Sequence, residues 1–443
     1  MKAILTYARG WNTLAAVRSL GKKGIEVVTA DEYDFAPSYF SKYSVDNFRY
    51  PNPDRDADGF IETLLERIQA HQPEDGKFVL MPFHKETYLI AKHRDKFEPY
   101  IHVPVPDYDS IMKVHDKGGL AEYAMEHGIP IPKTYLFSQV DEVEEKAKGM
   151  KFPVFIKLRQ SAAAVGLQKV DTAEELIRVF DEFVEKYRLT PETYPIVQEA
   201  VPGEDYCVTC LFEHGVPKAM MTYHNLRTYP VKSGTGVLRE TVIVPEMEQC
   251  ARDLLSRLEW HGVAEVDFRM EPEGGTPWLI EVNPRFWGGL NQSIESDVDY
   301  PYLLFQMAVE GNIQHVETVR TDVRTETPVM AFLSTIHEIV YDESRLADMK
   351  ETLERAKATF EPGNRRATIR QLFHELKQVT DFKGRFEEIR QLISDHSRTV
   401  YDVLSLEDPL PALGILYLLA VFIKHGRIST ELLVSEGATK SES

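Results

Sequence analysis

Two short segments of alternating polarity, joined by a glycine turn, constrain this chain more than any other part of it. The first reads Val263-Ala264-Glu265-Val266-Asp267-Phe268, and the second reads Trp278-Leu279-Ile280-Glu281-Val282-Asn283-Pro284-Arg285. Both have the pattern of strands, and Pro272-Glu273-Gly274-Gly275 between them is the turn of an antiparallel hairpin. Side chains along a strand alternate between faces, so Glu281 and Asn283 point the same way. Asp267 comes from the hairpin partner. Two carboxylates and an amide oxygen on one sheet face make a hard-oxygen site suited to Mg²⁺, with phosphate oxygens and waters completing the shell. Arg285, two residues on, can meet the same cleft and hold a carboxylate or a transferred phosphoryl group. Taken alone, an E-x-N on a strand is most often a solvated face. Here it is flanked by Leu279, Ile280 and Val282 and followed by Phe286-Trp287-Gly288-Gly289, which is not the composition of an exposed edge.

Two further segments carry polar groups where a phosphate ligand would need them. Phe152-Pro153-Val154-Phe155-Ile156-Lys157 is an apolar strand ending in a lysine, and a buried ammonium needs an anionic partner. The segment from Arg159 to Leu167 holds Ser161-Ala162-Ala163-Ala164-Val165-Gly166, small enough to close over phosphates with its backbone N–H groups. Read alone, this is an ordinary small-residue hairpin. Lys117 stands at a helix start in His115-Asp116-Lys117-Gly118-Gly119. Further on, Ile196-Val197-Gln198-Glu199 is a strand that ends in Ala200-Val201-Pro202-Gly203-Glu204-Asp205. The backbone of Glu199, Ala200 and Val201 can read an adenine edge there, and Glu204 can reach ribose hydroxyls.

The first hundred residues alternate strand and helix. Ala3–Thr6, Ile25–Ala30 and Phe78–Pro82 are strands, with helices from Leu14 to Leu20 and from Phe60 to Ala70. That rhythm implies an open parallel sheet. Its first turn, Ala8-Arg9-Gly10, has no G-x-G-x-x-G, which argues against a nicotinamide site but still allows a ligand cleft at the carboxyl ends of the strands. Asp109 to His127 reads as one helix. Beyond Val329 the chain turns to charged helical stretches, Ser344–Phe360, Arg366–Thr380 and Phe386–Val400.

Composition excludes more than it selects. A formal net charge of -19 argues against broad nucleic-acid binding, which needs a basic footprint. Three cysteines build no disulfide framework and fit a reducing compartment. Cys207 and Cys210 form a C-x-x-C within a strand, where residues three apart face opposite ways and the thiols diverge. The start carries no apolar core of a signal peptide, so a cytoplasmic location is expected. The apolar run Leu410–Ile423 is too short to span a bilayer and reads as a buried helix or dimer contact, with a shallow membrane contact through residues 409–427 as the alternative.

Taken in order, Asp116-Lys117, Val154–Lys157, Gln198-Glu199 with Gly203-Glu204, Asp267, and Glu281-Val282-Asn283-Pro284-Arg285 resemble the ATP-grasp superfamily over residues 1 to about 325. The sequence around Asn283–Gly289, Asp299–Leu304 and His224–Pro230 is similar to its biotin-carboxylase-like, carboxylate-amine ligase branch, which includes D-aspartate ligase. The resemblance implies a mixed α/β and α+β fold. Its parts would be an N-terminal parallel-sheet domain (1–105), a lid subdomain (106–195), a larger antiparallel subdomain with the metal site (196–328) and a helical C-terminal region (329–443). It implies that Lys117, Lys157, Ser161 and Gly166 meet ATP phosphates, Glu199, Ala200 and Val201 hold adenine, and Glu204 holds ribose. Asp267, Glu281 and Asn283 would bind Mg²⁺, as two ions, with Mn²⁺ an acceptable substitute. Arg285 and Lys157 would act in catalysis, and Arg227, Ser233, Gly234 and Arg285 would line the substrate site. The implied reaction activates a small-molecule carboxylate as an acyl phosphate and couples it to an amine, releasing ADP and phosphate, and is compatible with a homodimer. Two alternatives share the fold: a bicarbonate-phosphorylating carboxylase-type subunit and a non-catalytic nucleotide-binding regulator. Alanines where relatives have a glycine-rich lid lose positive-φ freedom.

Overall fold

The computed structural model describes residues 1–160, 166–231, 234–316, 318–340, 390 and 399–415. The chain opens with β1 (Lys2–Leu5), α1 (Trp11–Lys22), β2 (Glu26–Asp31), β3 (Ser44–Arg49), α2 (Ala57–Ala70) and β4 (Phe78–Met81). These strands form a parallel sheet in the order β3-β2-β1-β4, the open sheet that the alternating pattern predicts. Strand β3 escapes a periodicity reading because its outward residues Val45, Asp46 and Asn47 leave no apolar alternation. Two short helices follow, α3 (Glu86–Lys92) and α4 (Arg94–Phe97).

The single helix expected over 109–127 is two, α5 (Tyr108–His115) and α6 (Lys117–Glu126). Asp116 between them has extended backbone, and its carboxylate accepts from the Gly119 N–H at 2.8 Å, capping α6. Lys117 is thereby the first residue of a helix.

A second sheet is antiparallel, in the order β5-β8-β6-β7. Its strands are β5 (Thr134–Tyr135), β6 (Val154–Lys157), β7 (Leu167–Val170) and β8 (Ile196–Glu199), covered on one side by α7 (Glu142–Ala147) and α8 (Ala173–Tyr187). Val154, Ile156 and Val197 pack against Leu176, Val179 and Phe180 of α8. Alternation then sends Phe155, Lys157, Ile196 and Gln198 to the opposite face.

The largest sheet runs β13-β12-β9-β10-β11-β14-β15. It is built from β9 (Glu204–Glu213), β10 (Val216–Tyr229), β11 (Thr235–Val242), β12 (Gly262–Met270), β13 (Trp278–Asn283), β14 (Arg324–Glu326) and β15 (Val400–Tyr401), with α9 (Pro245–Arg257), α10 (Leu290–Glu295), α11 (Tyr300–Glu310) and α12 (Met330–Val340) in the connections. Its even-numbered β9 residues Val208, Cys210 and Phe212 join a core with α9 and the N-terminal domain. Its odd-numbered residues Cys207 and Leu211 join a core with Trp287, Tyr300 and Leu304. The two thiols of the C-x-x-C therefore lie in different cores, as strand alternation requires.

Residues 399–415 are not helical throughout. Val400, read from the sequence as a helix end, pairs in β15 beside β14. The segment then runs back to the N-terminal domain, where the Asp408 carboxylate accepts from Arg18 Nε (2.9 Å), Ser41 Oγ (2.7 Å) and the Lys42 N–H (2.9 Å). Most of the charged stretches expected as helices between 344 and 398, and residues 416–427 of the apolar run, lie outside the described residues. Among the described residues no helix is long and apolar enough to cross a membrane.

Asp402 is buried and receives Arg239 Nη1 at 2.9 Å and Thr327 Oγ1 at 2.6 Å, and Arg239 is itself buried in the sheet. Removing one partner of such a pair strands the other charge. Asp402→Ala is therefore expected to cost about 3–5 kcal/mol in urea denaturation, and Arg239→Met with Asp402→Leu to recover most of it.

Candidate active site

The hairpin register assembles the acidic site. Asp267 pairs with Glu281 and Glu265 with Asn283, so all four side chains share one face of the large sheet. The register slips between Asp267 and Phe268, which leaves Ile280 as an extra residue on β13. Beyond that bulge Arg269 pairs with Trp278, returning both to the acidic face. Leu279 and Val282 both pack into the core on the other side despite their odd spacing.

Hydrogen bonds knit the group together. Asn283 Nδ2 donates to Asp267 Oδ2 at 3.1 Å and to Glu265 Oε2 at 3.4 Å, and Arg285 Nη2 donates to Asn283 Oδ1 at 3.1 Å. Tyr223 Oη donates to Glu265 Oε1 at 2.5 Å from β10. Cys207 Sγ donates to Asp267 Oδ1 at 3.1 Å from β9. Burial raises the Glu265 carboxyl, and burial with the charges of Glu265 and Glu281 holds Asp267 well above the usual carboxylate range. The sequence pattern E-x-D in β12 mirrors E-x-N in β13, and that repeat is the signal by which Glu265 belongs with the other three.

Cations from other elements border this face. Lys117 Nζ lies 3.3 Å from Glu281 Oε1. Lys157, at the end of β6, donates to Gln198 Oε1 at 2.6 Å, and Gln198 Nε2 donates in turn to Thr134 Oγ1 at 2.9 Å. Burial pushes the Lys157 ammonium down to about 8; Glu281 opposes that shift, while Lys117 and Arg269 add to it. Arg159 Nε sits 3.0 Å from both Asp116 oxygens, and its carbonyl accepts from the Lys117 N–H at 3.0 Å, fixing the start of α6 to the end of β6. The loop between β6 and β7 closes where the Leu158 N–H meets the Gly166 carbonyl at 2.9 Å. Gly166 has φ of 63°, and a Cβ there would fall 2.3 Å from Leu158 Cδ1. Ser161 lies outside the described residues.

The hinge after β8 behaves differently from its charged sequence. The Glu199 carboxylate turns to the other face of β8, accepting from Tyr135 Oη at 2.8 Å and the Lys151 N–H at 3.2 Å, away from Lys157. The Glu199 and Ala200 N–H groups donate to the carbonyls of Lys133 and Pro153. A cavity of about 340 Å³ opens beside Glu199, Ala200 and Val201 and is also lined by Lys133, Lys151, Glu271 and Trp278. Glu204, half-exposed, pairs with His224 Nε2 at 2.8 Å. On the far side, Arg227 donates to Thr335 Oγ1 of α12 at 3.4 Å. The Gly234 N–H donates to the Pro230 carbonyl at 2.8 Å. Ser233 lies outside the described residues.

The N-terminal domain supplies a wall. Phe83, just past β4, stacks on Phe286 with ring centroids 4.5 Å apart, setting the carboxyl edge of the parallel sheet against the end of β13. His84 stacks on Tyr7 at 4.5 Å, and Tyr7 adopts a left-handed φ of 58°. Arg9 pairs with Asp31 at 2.5 Å and Glu32 at 2.7 Å in the same edge.

This arrangement of three sheets, with an acidic strand pair facing Lys157 of the smaller sheet and Lys117 of α6, is the ATP-grasp fold. Residues 192–328 match the family described as ATP-grasp in the biosynthetic pathway with Ter operon, so the chain carries an ATP-grasp domain. It is 26% identical over 272 residues to D-aspartate ligase of Enterococcus faecium, an alignment covering 56% of this chain and 63% of that enzyme. The chain thus spans less than two thirds of that relative. Among solved structures it is similar to the biotin carboxylase domain of Hydrogenobacter thermophilus 2-oxoglutarate carboxylase, in complex with MgADP, ADP and bicarbonate (TM-score 0.57, 15% identity, 73% of each chain covered). It is also similar to the L-amino acid ligase of Bacillus licheniformis (TM-score 0.52, 14% identity, 71% of this chain and 77% of that one). At such identities these likenesses establish the fold.

Two measurements probe the electrostatics. Asp267 resists ionisation in the folded state, so its cost appears as pH rises above the ordinary carboxylate range of roughly 4. In metal-free protein at neutral pH, Asp267→Asn is expected to stabilise by about 1 kcal/mol or more, with the gain vanishing below about pH 4, read by urea denaturation. Lys157 is charged below about 8 and neutral above it in the free protein, so affinity for inorganic tripolyphosphate should fall as pH rises through that value. Lys157→Met should bind tripolyphosphate weakly at every pH.

Proposed function

We propose that the chain is an ATP-dependent ligase that activates a carboxylate as an acyl phosphate and couples it to an amine, with release of ADP and phosphate. The observation that carries this reading is the shared face of Glu265, Asp267, Glu281 and Asn283, with Lys117 3.3 Å from Glu281 and Arg285 3.1 Å from Asn283. Such an array suits a polyphosphate with its cation at one end and a second anion at the other.

The donor set fits a divalent cation. Three carboxyls and an amide lie on one face, and the Asn283 amide nitrogen sits between Asp267 and Glu265 as a polarised donor that a cation would replace. The amide needs only to present its oxygen instead. Asp267, Glu281 and Asn283 would hold Mg²⁺, which when bound neutralises charge on the β- and γ-phosphates. Two ions, and Mn²⁺ in their place, are the expectation from the family resemblance.

Residues of the chain do the remaining work. The cavity at Glu199–Val201 takes the adenine, with the Val201 N–H and the hinge carbonyls reading its edge. From there ATP runs along β13, since Trp278 at the cavity and Glu281 at the acidic end project to one face. Lys117 and Lys157 hold the phosphates, with Gly166, packed against Leu158 at the end of β6, beside them. Arg285 holds the carboxylate substrate in line with the γ-phosphorus. A carboxylate oxygen bonds to that phosphorus as its bond to the ADP oxygen breaks. The amine nitrogen then bonds to the acyl carbon, the acyl–oxygen bond breaks, phosphate leaves and the amine gives up a proton. No nucleophilic side chain is required, and catalysis rests on positioning and charge stabilisation.

The test is ATP consumption with Mg²⁺ across a panel of carboxylates, each with hydroxylamine as a generic amine. A hydroxamate formed from one acid is the expected result and identifies the acid. Bicarbonate-stimulated turnover without any hydroxamate would support the carboxylase-type alternative. Nucleotide binding without turnover would support a regulator. Glu281→Gln is expected to lower turnover roughly 100- to 1,000-fold while the protein remains folded.

A further inference from the structure

We propose that Cys207, Glu265 and Asp267 form a soft-metal site that captures a thiophilic divalent cation such as Zn²⁺ or Cd²⁺. Their ligand atoms, Sγ and one oxygen of each carboxylate, all lie within 4.8 Å of one another. Tetrahedral Zn²⁺ holds sulfur and oxygen ligands roughly 3.5 Å apart, so small side-chain rotations bring all three onto one ion. The backbone already supplies the alignment. Cys207 on β9 pairs directly with Asp267 on β12, and Glu265 is two residues away on the same face.

Neighbours outside the three ligands point the same way. Asn225 Nδ2 donates to Cys207 Sγ at 3.3 Å, holding the sulfur on the side of Asp267. Asn283 Nδ2 lies 3.1 Å from Asp267 Oδ2 and 3.4 Å from Glu265 Oε2, filling the gap between the carboxylates with N–H donors. Its amide is a replaceable stand-in for a cation. The site uses one cysteine of the C-x-x-C, because Cys210 lies in the core on the opposite face.

A hard-oxygen site for Mg²⁺ has no use for sulfur, whereas Zn²⁺ and Cd²⁺ prefer it. Asp267 is common to this site and to the Mg²⁺ site proposed above. A soft ion held by Cys207 would therefore withdraw Asp267 from the nucleotide's cation and inhibit turnover. That inhibition rests on the ligase reading; the binding does not.

The experiment titrates the full chain with Cd²⁺ in the absence of nucleotide and follows the ultraviolet thiolate-to-Cd²⁺ charge-transfer band. Cys250 is a partly exposed thiol, so Cys250→Ser is the background. One ion per chain with a saturating band is expected, displaced by Zn²⁺. Cys207→Ser should abolish the band and markedly weaken Cd²⁺ binding. Cys210→Ser should keep both. A band that survives Cys207→Ser, or no band in the background protein, overturns the proposal. Should Cys207→Ser disturb the sheet, Glu265→Gln decides with the thiol intact: weaker Cd²⁺ binding supports the site, and unchanged affinity overturns it.

Discussion

Like charges held on one face of a sheet are the constraint around which this molecule is organised. Glu281 opposes Asp267 across the hairpin, and Glu265 is one step along. Facing carboxylates repel, and here burial removes much of the water that would screen them. The fold balances that repulsion from three directions. Tyr223 and Asn283 donate hydrogen bonds from the large sheet, Lys117 brings charge from α6, and Arg285 closes the end of β13. None of these compensates fully, since Asp267 still resists losing its proton.

The same constraint explains why separate sheets must meet here. Lys157 and Gln198 can face the acidic strands because their neighbours Ile156 and Val197 are anchored on the other side by α8. The Asp116–Arg159 pair then ties the helix carrying Lys117 to the strand carrying Lys157, so the two lysines are set relative to each other before any ligand arrives. On the opposite flank the Phe83–Phe286 stack fixes the parallel sheet against the loop that follows Arg285. The C-terminal strand adds a more distant brace. Asp402 holds Arg239, whose side chain packs against Gly289, where a Cβ would fall 2.8 Å from Arg239 Cδ. That contact requires glycine in the loop after the acidic strand.

Much of this was legible in the sequence because strand periodicity is a local signal. Alternation alone put Glu281 and Asn283 on one face, and it separated Cys207 from Cys210. The parallel N-terminal sheet followed from its alternating strands and helices. Local reasoning stops short where a residue's contacts depend on a distant partner. The Glu199 carboxylate belongs to the helix-covered face because β8 pairs with β6 in a register that no single strand reveals. Arg227 meets α12, more than a hundred residues on. Asp116 broke a helix that propensity would continue, since its carboxylate caps α6 and also takes the Arg159 guanidinium. The turn of residues 399–415 back onto Arg18 and Ser41 left no trace in composition.

Cys207 shows how a residue changes meaning with its surroundings. By sequence it is half of a C-x-x-C, a motif that suggests paired thiols. In the fold its neighbour across the ladder is a carboxylate, and Asn225 braces the sulfur against it. A thiol so placed contributes little to a hard-cation site and much to a soft one. Selectivity between the two then turns on which ion can use the ligand row without giving up Asp267. Mg²⁺ demands oxygen and near-octahedral geometry, which in the proposed site Asp267, Glu281 and Asn283 would supply together with phosphate oxygens. A thiophilic ion is drawn the other way, toward β9. The strand register sets Asp267 between Cys207 on β9 and Glu281 on β13, so the two metal sites proposed above would compete for a single aspartate.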